Sequence, residues 1–236
     1  MIVQAIRSDL LKINGKGLWF LTFLAPVGLI AMQGLNYGLR YDYMIKAYAG
    51  DPWGGLLDNI LMFVPIALLM GITILSSMLA NVEHHTSAWK QLLALPISRY
   101  AVFGSKFAIV ALLLAVASIV LALGSFGLGL LLGFDAADFP VTDAIKLAAY
   151  PYLASWTLLT PVLWMCVTYR NQSLPITIGI VAALISVFPL SEWVPTNWPL
   201  ASYKAENGET FVLAGLIIGL AILLPAAVHF NRKDVN

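Results

Sequence analysis

Three groups of residues in this chain are of types that do chemistry: the run Glu83-His84-His85, the lone Cys166, and His229. Carboxylates and imidazoles ligate metals and move protons, and a thiolate is a nucleophile. Consecutive helical residues point about 100° apart, since a turn takes about 3.6 residues, so Glu83, His84 and His85 cannot converge on one ion, and a solvated face is expected for them. A catalytic thiol needs a base within reach, and no histidine shares a predicted membrane segment with Cys166. His229 reads as an interfacial polar residue. The chain holds no H-E-x-x-H, no G-x-S-x-G and no G-x-x-x-x-G-K-[ST] sequence, which leaves it without the zinc-protease, nucleophile-elbow and phosphate-cradle signatures. What remains is the chemistry of contact. Residues 80–106 put Glu83, Trp89, Lys90, Leu92, Leu93, Pro96, Arg99 and Lys106 in one polar-and-aromatic stretch.

The elements that must hold this stretch are set by composition. The chain has 236 residues, 60% hydrophobic and 11% charged, with a mean hydropathy of +0.86; a soluble domain is about 45–50% apolar and roughly 25% charged. An integral membrane protein is predicted, all-α, with no stretch left over for a soluble catalytic domain. Its formal net charge of +1 gives nucleic acid nothing to bind, and its single cysteine excludes an intrachain disulfide. The N-terminus lacks the pattern of a cleaved signal and reads as mature sequence.

Crossing a hydrocarbon core about 30 Å thick takes roughly 20 helical residues, so gaps between charges mark the spans. Six gaps qualify, and they predict spans over 17–39, 59–82, 107–134, 147–169, 171–191 and 210–231. Six spans put both termini on one side. Cytoplasmic loops carry the excess of Lys and Arg, and with the termini inside, Arg7, Lys12, Lys16, Lys90, Arg99, Lys106, Arg170, Arg232 and Lys233 are cytoplasmic, against Arg40, Lys46, Lys146 and Lys204 outside. Most Trp and Tyr fall at the expected interfaces. Between the fifth and sixth spans, Trp-Val-Pro-Thr-Asn-Trp-Pro is too short and proline-rich to cross.

Two cytoplasmic segments are not spans. Residues 1–16 place Ile2, Ile6, Leu10 and Ile13 on one stripe, leaving Arg7, Asp9, Lys12 and Lys16 to water or headgroups, as an interfacial helix does; Gly15 and Gly17 supply the joint into the first span. The second segment is the loop between spans two and three, where Trp89, Leu92 and Leu93 form an apolar stripe and Pro96 stops the helix.

With these residues in view, the chain resembles the permease subunits of ABC-2 type ATP-binding-cassette transporters. The resemblance rests on Glu83 ending span two, on Trp89 to Leu93 (Trp-Lys-x-Leu-Leu), on Pro96 to Arg99 (Pro-Ile-Ser-Arg) and on Lys106 opening span three; the layout of six spans, N-terminal helix and proline-rich outer segment fits as well. Many relatives carry Gly-Thr before the tryptophan, where this chain has Ser87 and Ala88. The wording of the loop is nearest to permeases of lantibiotic or bacteriocin immunity and peptide-antibiotic resistance. The resemblance implies one ABC-2 type transmembrane domain over 1–236, in a bacterial cytoplasmic membrane. Residues Glu83, His84, His85, Trp89, Lys90, Leu93, Pro96, Arg99 and Lys106 then form the coupling region for a separate ABC ATPase. It implies two copies of that ATPase, holding ATP and Mg, and a second permease subunit, identical or related, with no cofactor in this chain.

The absence of a charge in mid-span removes the carboxylate that ion-driven carriers need, and an uncharged interior suits a hydrophobic or amphipathic substrate, with Gln33, Asn59, Thr157, Thr160 and Trp164 as pathway contacts. Close helix approach is expected at Gly34/Gly38, Gly129/Gly133 and Gly215/Gly219. Pro26, Pro65, Pro161 and Pro225 are positions for hinges or static kinks. A membrane scaffold and an intramembrane enzyme are the rival classes.

Overall fold

In hydrocarbon no water is present to pair backbone N–H and C=O groups, so a chain this apolar must satisfy them within helices. A computed structural model describes residues 2–85, 98–188 and 191–232, and every regular element among them is helical. Helix α1 (Ile2–Ile13) leads through Gly15 and Gly17, both left-handed at φ +73° and +81°, into α2 (Leu18–Leu39). These are the glycines expected at the joint, and a side chain there would be strained. A short α3 (Tyr41–Ala47) follows. Helix α4 (Pro52–Leu61) opens with proline in its first turn and with Asp51 Oδ1 accepting from the Gly54 amide at 2.8 Å, a standard N-cap. A turn at Met62 and Phe63 leads into α5 (Val64–His85).

Helix α6 (Arg99–Leu131) spans 33 residues, about 50 Å at the usual rise. It begins eight residues before the predicted span, because charges at Arg99 and Lys106 mark where hydrocarbon ends and do not prevent a helix from running on. It ends in a paired turn, with Phe134 N on Gly129 O at 3.0 Å and Gly133 N on Leu130 O at 3.1 Å, Gly133 being left-handed at φ +85°; this is the Schellman arrangement. Helices α7 (Val141–Ala154) and α8 (Trp156–Thr168) abut at Ser155, whose φ −71° and ψ −11° stay right-handed. Then come α9 (Ser173–Ile185), a 3-10 turn at Pro195–Asn197, α10 (Trp198–Lys204) and α11 (Gly208–Arg232).

Among the described residues four stretches are by themselves long and apolar enough to cross a bilayer: Leu18–Leu39, Pro52–His84, Arg99–Leu131 and Gly208–Arg232. The fourth predicted span, 147–169, covers the second half of α7 and all of α8, and the fifth falls on α9; α8 and α9 are shorter apolar helices of 13 residues each. Within the bundle α5 is central, packing against α2, α6, α8 and α9. The most apolar window of Pro52–His84 is 61% buried, whereas those of Leu18–Leu39 and Gly208–Arg232 are 22% and 17% buried, so α2 and α11 are peripheral.

A close backbone seam joins α11 to α7 and α8. A Cβ on Gly215 would stand 2.5 Å from Ala154 Cα, and one on Gly219 would stand 2.7 Å from the Trp156 oxygen. This glycine pair lies at a helix contact, as its spacing predicts. Only one member of each other pair does so: Gly34 meets Leu128 and Gly129 meets the Trp53 ring, while Gly38 and Gly133 face open space. Gly133 is spent on ending α6. Of the four prolines, Pro26, Pro161 and Pro225 lie inside helices; Pro65 is the second residue of α5, where its missing N–H breaks no helical bond.

Candidate functional site

At the end of the bundle where α1, the last turn of α5 and the first turns of α6 meet, four charged side chains come together, three of them closed off from solvent and the fourth, Lys12, half-buried. Asp9, Glu83 and Lys106 are 3%, 0% and 1% exposed. Lys106 Nζ donates to Glu83 Oε1 at 2.8 Å and to Asp9 Oδ1 at 3.0 Å. Lys12 Nζ reaches the same Glu83 oxygen at 3.0 Å and lies 3.5 Å from Asp9 Oδ1. Ser105 Oγ donates to Asp9 Oδ2 at 2.8 Å. Two carboxylates and two ammonium groups make the set neutral, the condition under which buried charges are tolerated. Glu83 Oε2 is buried without a hydrogen-bond partner among the described residues.

The local sequence explains who meets whom. On α1 the row Ala5, Asp9, Ile13 repeats at four-residue spacing, and all three are buried, with Ile6 and Leu10 half-buried beside them. The interfacial stripe is thus rotated from the one expected, and Asp9, expected in water, faces the protein because α6 offers it a buried cation and a hydroxyl. Glu83 is likewise buried, not on a solvated face, because Lys106 and Lys12 neutralise it. An acid four residues from apolar neighbours on both sides was the signal for Asp9, since it sits on the apolar stripe itself.

The other coupling residues disperse. His84 Nε2 lies 3.1 Å from the Cys166 carbonyl, tying α5 to α8; the partner is a backbone oxygen, which leaves the thiol without a base from this contact. Arg99 Nη1 donates to Asn231 O at 3.0 Å, a cation at the carbonyl end of α11 where the helix dipole favours it. His85 closes α5, and its side chain, together with Trp89, Lys90, Leu93 and Pro96, lies outside the described residues.

Each of the five pathway residues is tied to a neighbouring group. Gln33 Nε2 donates to Asn59 O at 2.9 Å and so fastens α2 to α4. Thr157 and Thr160 hydroxyls reach the Gly215 and Gly219 carbonyls at 3.5 and 2.9 Å, making them rungs of the glycine seam. Trp164 Nε1 donates to His229 Nδ1 at 3.2 Å. An apolar cavity of about 190 Å³ is walled mainly by α2, α5 and α6 around Pro26, Gly71 and Leu114, and none of the five lines it. Hydroxyls and amides inside a membrane satisfy neighbouring carbonyls, which accounts for these bonds.

On the opposite face Trp53 anchors an aromatic group with Phe126, Phe134 and Phe139 and donates its indole N–H to Asp135 O at 2.9 Å. Asp58 pairs with Lys204 at 2.6 Å, joining α4 to α10. Burial first, and then the carboxylates of Asp143, Asp58 and Asp51, push the Tyr203 phenol up to about 12.

A bundle of apolar helices with its polar machinery confined to the ends is a multi-pass membrane protein. Residues 5–186 match the family model described as ABC-2 family transporter protein, and the chain belongs to that family. It is therefore a transmembrane permease component of an ABC transporter, and the ABC ATPase with which it associates is a separate component. No curated protein and no solved structure matches it.

Proposed function

We propose that this chain is the six-span permease half of an ATP-driven exporter, and that the region from Glu83 to Lys106 receives the push of its ATPase. One observation carries this reading: Lys106 and Glu83, 2.8 Å apart, fasten together the two helices that flank residues 86–98, and Asp9 and Lys12 fasten α1 to both. A segment held at both ends by a buried ion network passes force to α5 and α6, whereas a loop on loose ends would absorb it. Trp89, Lys90, Leu93 and Pro96 are the contact face for the ATPase, with His84, His85 and Arg99 at its margins. Glu83 and Lys106 act by position, since their burial keeps them from the partner.

The fourth crossing is α7 with α8, 28 residues through Ser155. The fifth is α9 with the turn residues up to Phe188, about 24 Å at helical rise, a shortfall that thinning or tilt accommodates at modest cost. Both termini then lie in the cytoplasm of a bacterial cell. Two ATPase subunits, which hold ATP and Mg, work with two permeases, identical or related. The cargo is hydrophobic or amphipathic, a lantibiotic or other peptide antibiotic, moved outward; the apolar cavity beside Pro26 is the surface that suits its apolar part, and Gln33, Asn59, Thr157, Thr160 and Trp164 order the helices around that route.

The test is reconstitution with the ATPase that copurifies. Glu83→Gln and Trp89→Ala are expected to insert normally and to lose partner-stimulated ATP hydrolysis and export. Full activity in both variants refutes the coupling role.

A further inference from the structure

The apolar cavity between α2, α5 and α6 carries a polar mark. Ser118 of α6 lines it, is 8% exposed, and makes no hydrogen bond through its hydroxyl among the described residues. A serine inside a helix commonly turns its hydroxyl back to a carbonyl of the preceding turn. On this same helix Ser105 and Ser125 do so, to Val102 O at 2.8 Å and Ala122 O at 2.7 Å. Ser118 does not. It stands twelve residues beyond Lys106, about 18 Å along the helix and so near the middle of a ~30 Å hydrocarbon core, where no bulk water supplies a partner.

The α2 wall adds an acceptor. Pro26 has no N–H for the Thr22 carbonyl four residues back, and Thr22 and Pro26 both line the cavity. The Thr22 hydroxyl is spent on Leu18 O at 2.9 Å. What is left over is one hydroxyl, which can donate and accept, and one carbonyl deprived of its helical donor. The other lining residues are apolar, and Leu24 and Ile74, 50% and 37% exposed, mark the mouth between α2 and α5. At about 190 Å³ the space is larger than an apolar cavity of about 150 Å³ that takes up benzene.

From these observations we infer that the cavity binds a compact apolar ring bearing one hydroxyl or N–H, of the size of a phenol, which enters sideways from the bilayer between Leu24 and Ile74. The ring takes the apolar walls, and its polar atom pairs with Ser118 Oγ, with the Thr22 carbonyl as a second acceptor. A plain hydrocarbon tail fills the same space but leaves the serine unpaired, and a buried polar group without a partner costs free energy. The site needs neither the coupling role nor the ATPase. That the cargo presents such a ring, as a tyrosine-bearing peptide does, rests on the export reading above.

The experiment is a ¹⁹F NMR titration of the full-length chain in detergent with 4-fluorophenol and with 4-fluorotoluene, which differ by hydroxyl for methyl. Each is read against protein-free micelles, with its concentration taken as the mole fraction in the micelle. Saturable binding of both to the wild type is expected. In Ser118→Ala the ratio of phenol to toluene affinity is expected to fall roughly three- to tenfold, the scale of one neutral hydrogen bond. Ala117→Leu, which fills the space from a half-buried lining position, is expected to lose both probes. Since the Ser118 hydroxyl has no partner to lose, Ser118→Ala is also expected to unfold no lower than the wild type. An affinity ratio unchanged in Ser118→Ala leaves a hydrocarbon slot for a lipid tail and overturns the inference. Absence of saturable phenol binding, or binding that survives Ala117→Leu, overturns it too, and a lowered Tm in Ser118→Ala marks a structural serine and does the same. These readouts use the chain without its ATPase or cargo, so their failure leaves the export reading to its own test.

Discussion

Removing the Lys106 ammonium should be among the most damaging single changes outside the helix seams. Lys106→Met keeps the length and apolar stem of the side chain but leaves Asp9 and Glu83, both almost fully buried, with Lys12 as their one remaining cation. Breaking a buried pair from one side costs roughly 3–5 kcal/mol, and for a chain of this size each kcal/mol moves Tm by about 2–4 °C, so a fall of roughly 6–20 °C is expected. Glu83→Gln should cost less, because Lys106 retains Asp9 at 3.0 Å and Lys12, 32% exposed at its side chain, can turn to water. The double variant restores neutrality, with Asp9 facing Lys12. Its loss should therefore fall short of the sum of the single losses by at least about 1 kcal/mol, within the range found for coupled neighbours. Thermal unfolding of the four proteins in one detergent measures this cycle. Strict additivity, or a Lys106→Met shift under about 2 °C by the same scaling, refutes the buried network.

Gly219→Val puts side-chain atoms against the Trp156 carbonyl, and a loss of about 1–3 kcal/mol is expected from overpacking, read as a lowered Tm with the helical circular dichroism retained. Thr160→Val on the other side of that seam should cost only about 0.6 kcal/mol, the mean for such bonds in membranes; a larger loss than in Gly219→Val would reverse the ranking. For topology, a cysteine at Trp193, 90% exposed, is expected to react with an impermeant thiol reagent on intact cells, and one at Ser87 is not; Asn197, only 7% exposed, is a poor labelling site on either side. Tyr203 holds its proton to about 12 when folded, against about 10 unfolded. The unfolded chain loses that proton first, so this contribution to stability is complete below pH 10 and is lost as pH rises from 10 to 12. Phenolate absorbance titrated on wild type and Tyr203→Phe checks it, and an ordinary titration near 10 contradicts the burial.

Much of the helical layout was legible because it depends on one-dimensional quantities. Apolar runs and the gaps between charges locate α2, α5, α6 and α11, and Gly15 and Gly17 announce the joint before the first span. Gly215 and Gly219 announced their seam in the same way. The fourth and fifth crossings were less legible, since a charge gap counts residues that can sit in hydrocarbon, not residues that form one straight helix, and Ser155 and the turn after Ile185 interrupt the helices without adding a charge.

Hydropathy and charge spacing alone determined that this is a helical membrane protein, and the residues from Glu83 to Lys106 carry its resemblance to ABC-2 permeases. The three-dimensional packing decided which polar groups are free. Asp9, Lys12, Glu83 and Lys106 are scattered over almost a hundred positions, and only the meeting of α1, α5 and α6 makes them one neutral, largely buried set. Thr157 and Thr160 likewise turned out to serve the glycine carbonyls of α11. The physical reason is common to both: in a low-dielectric interior a polar group takes whichever partner lies within a few ångströms, and that proximity is a property of the fold.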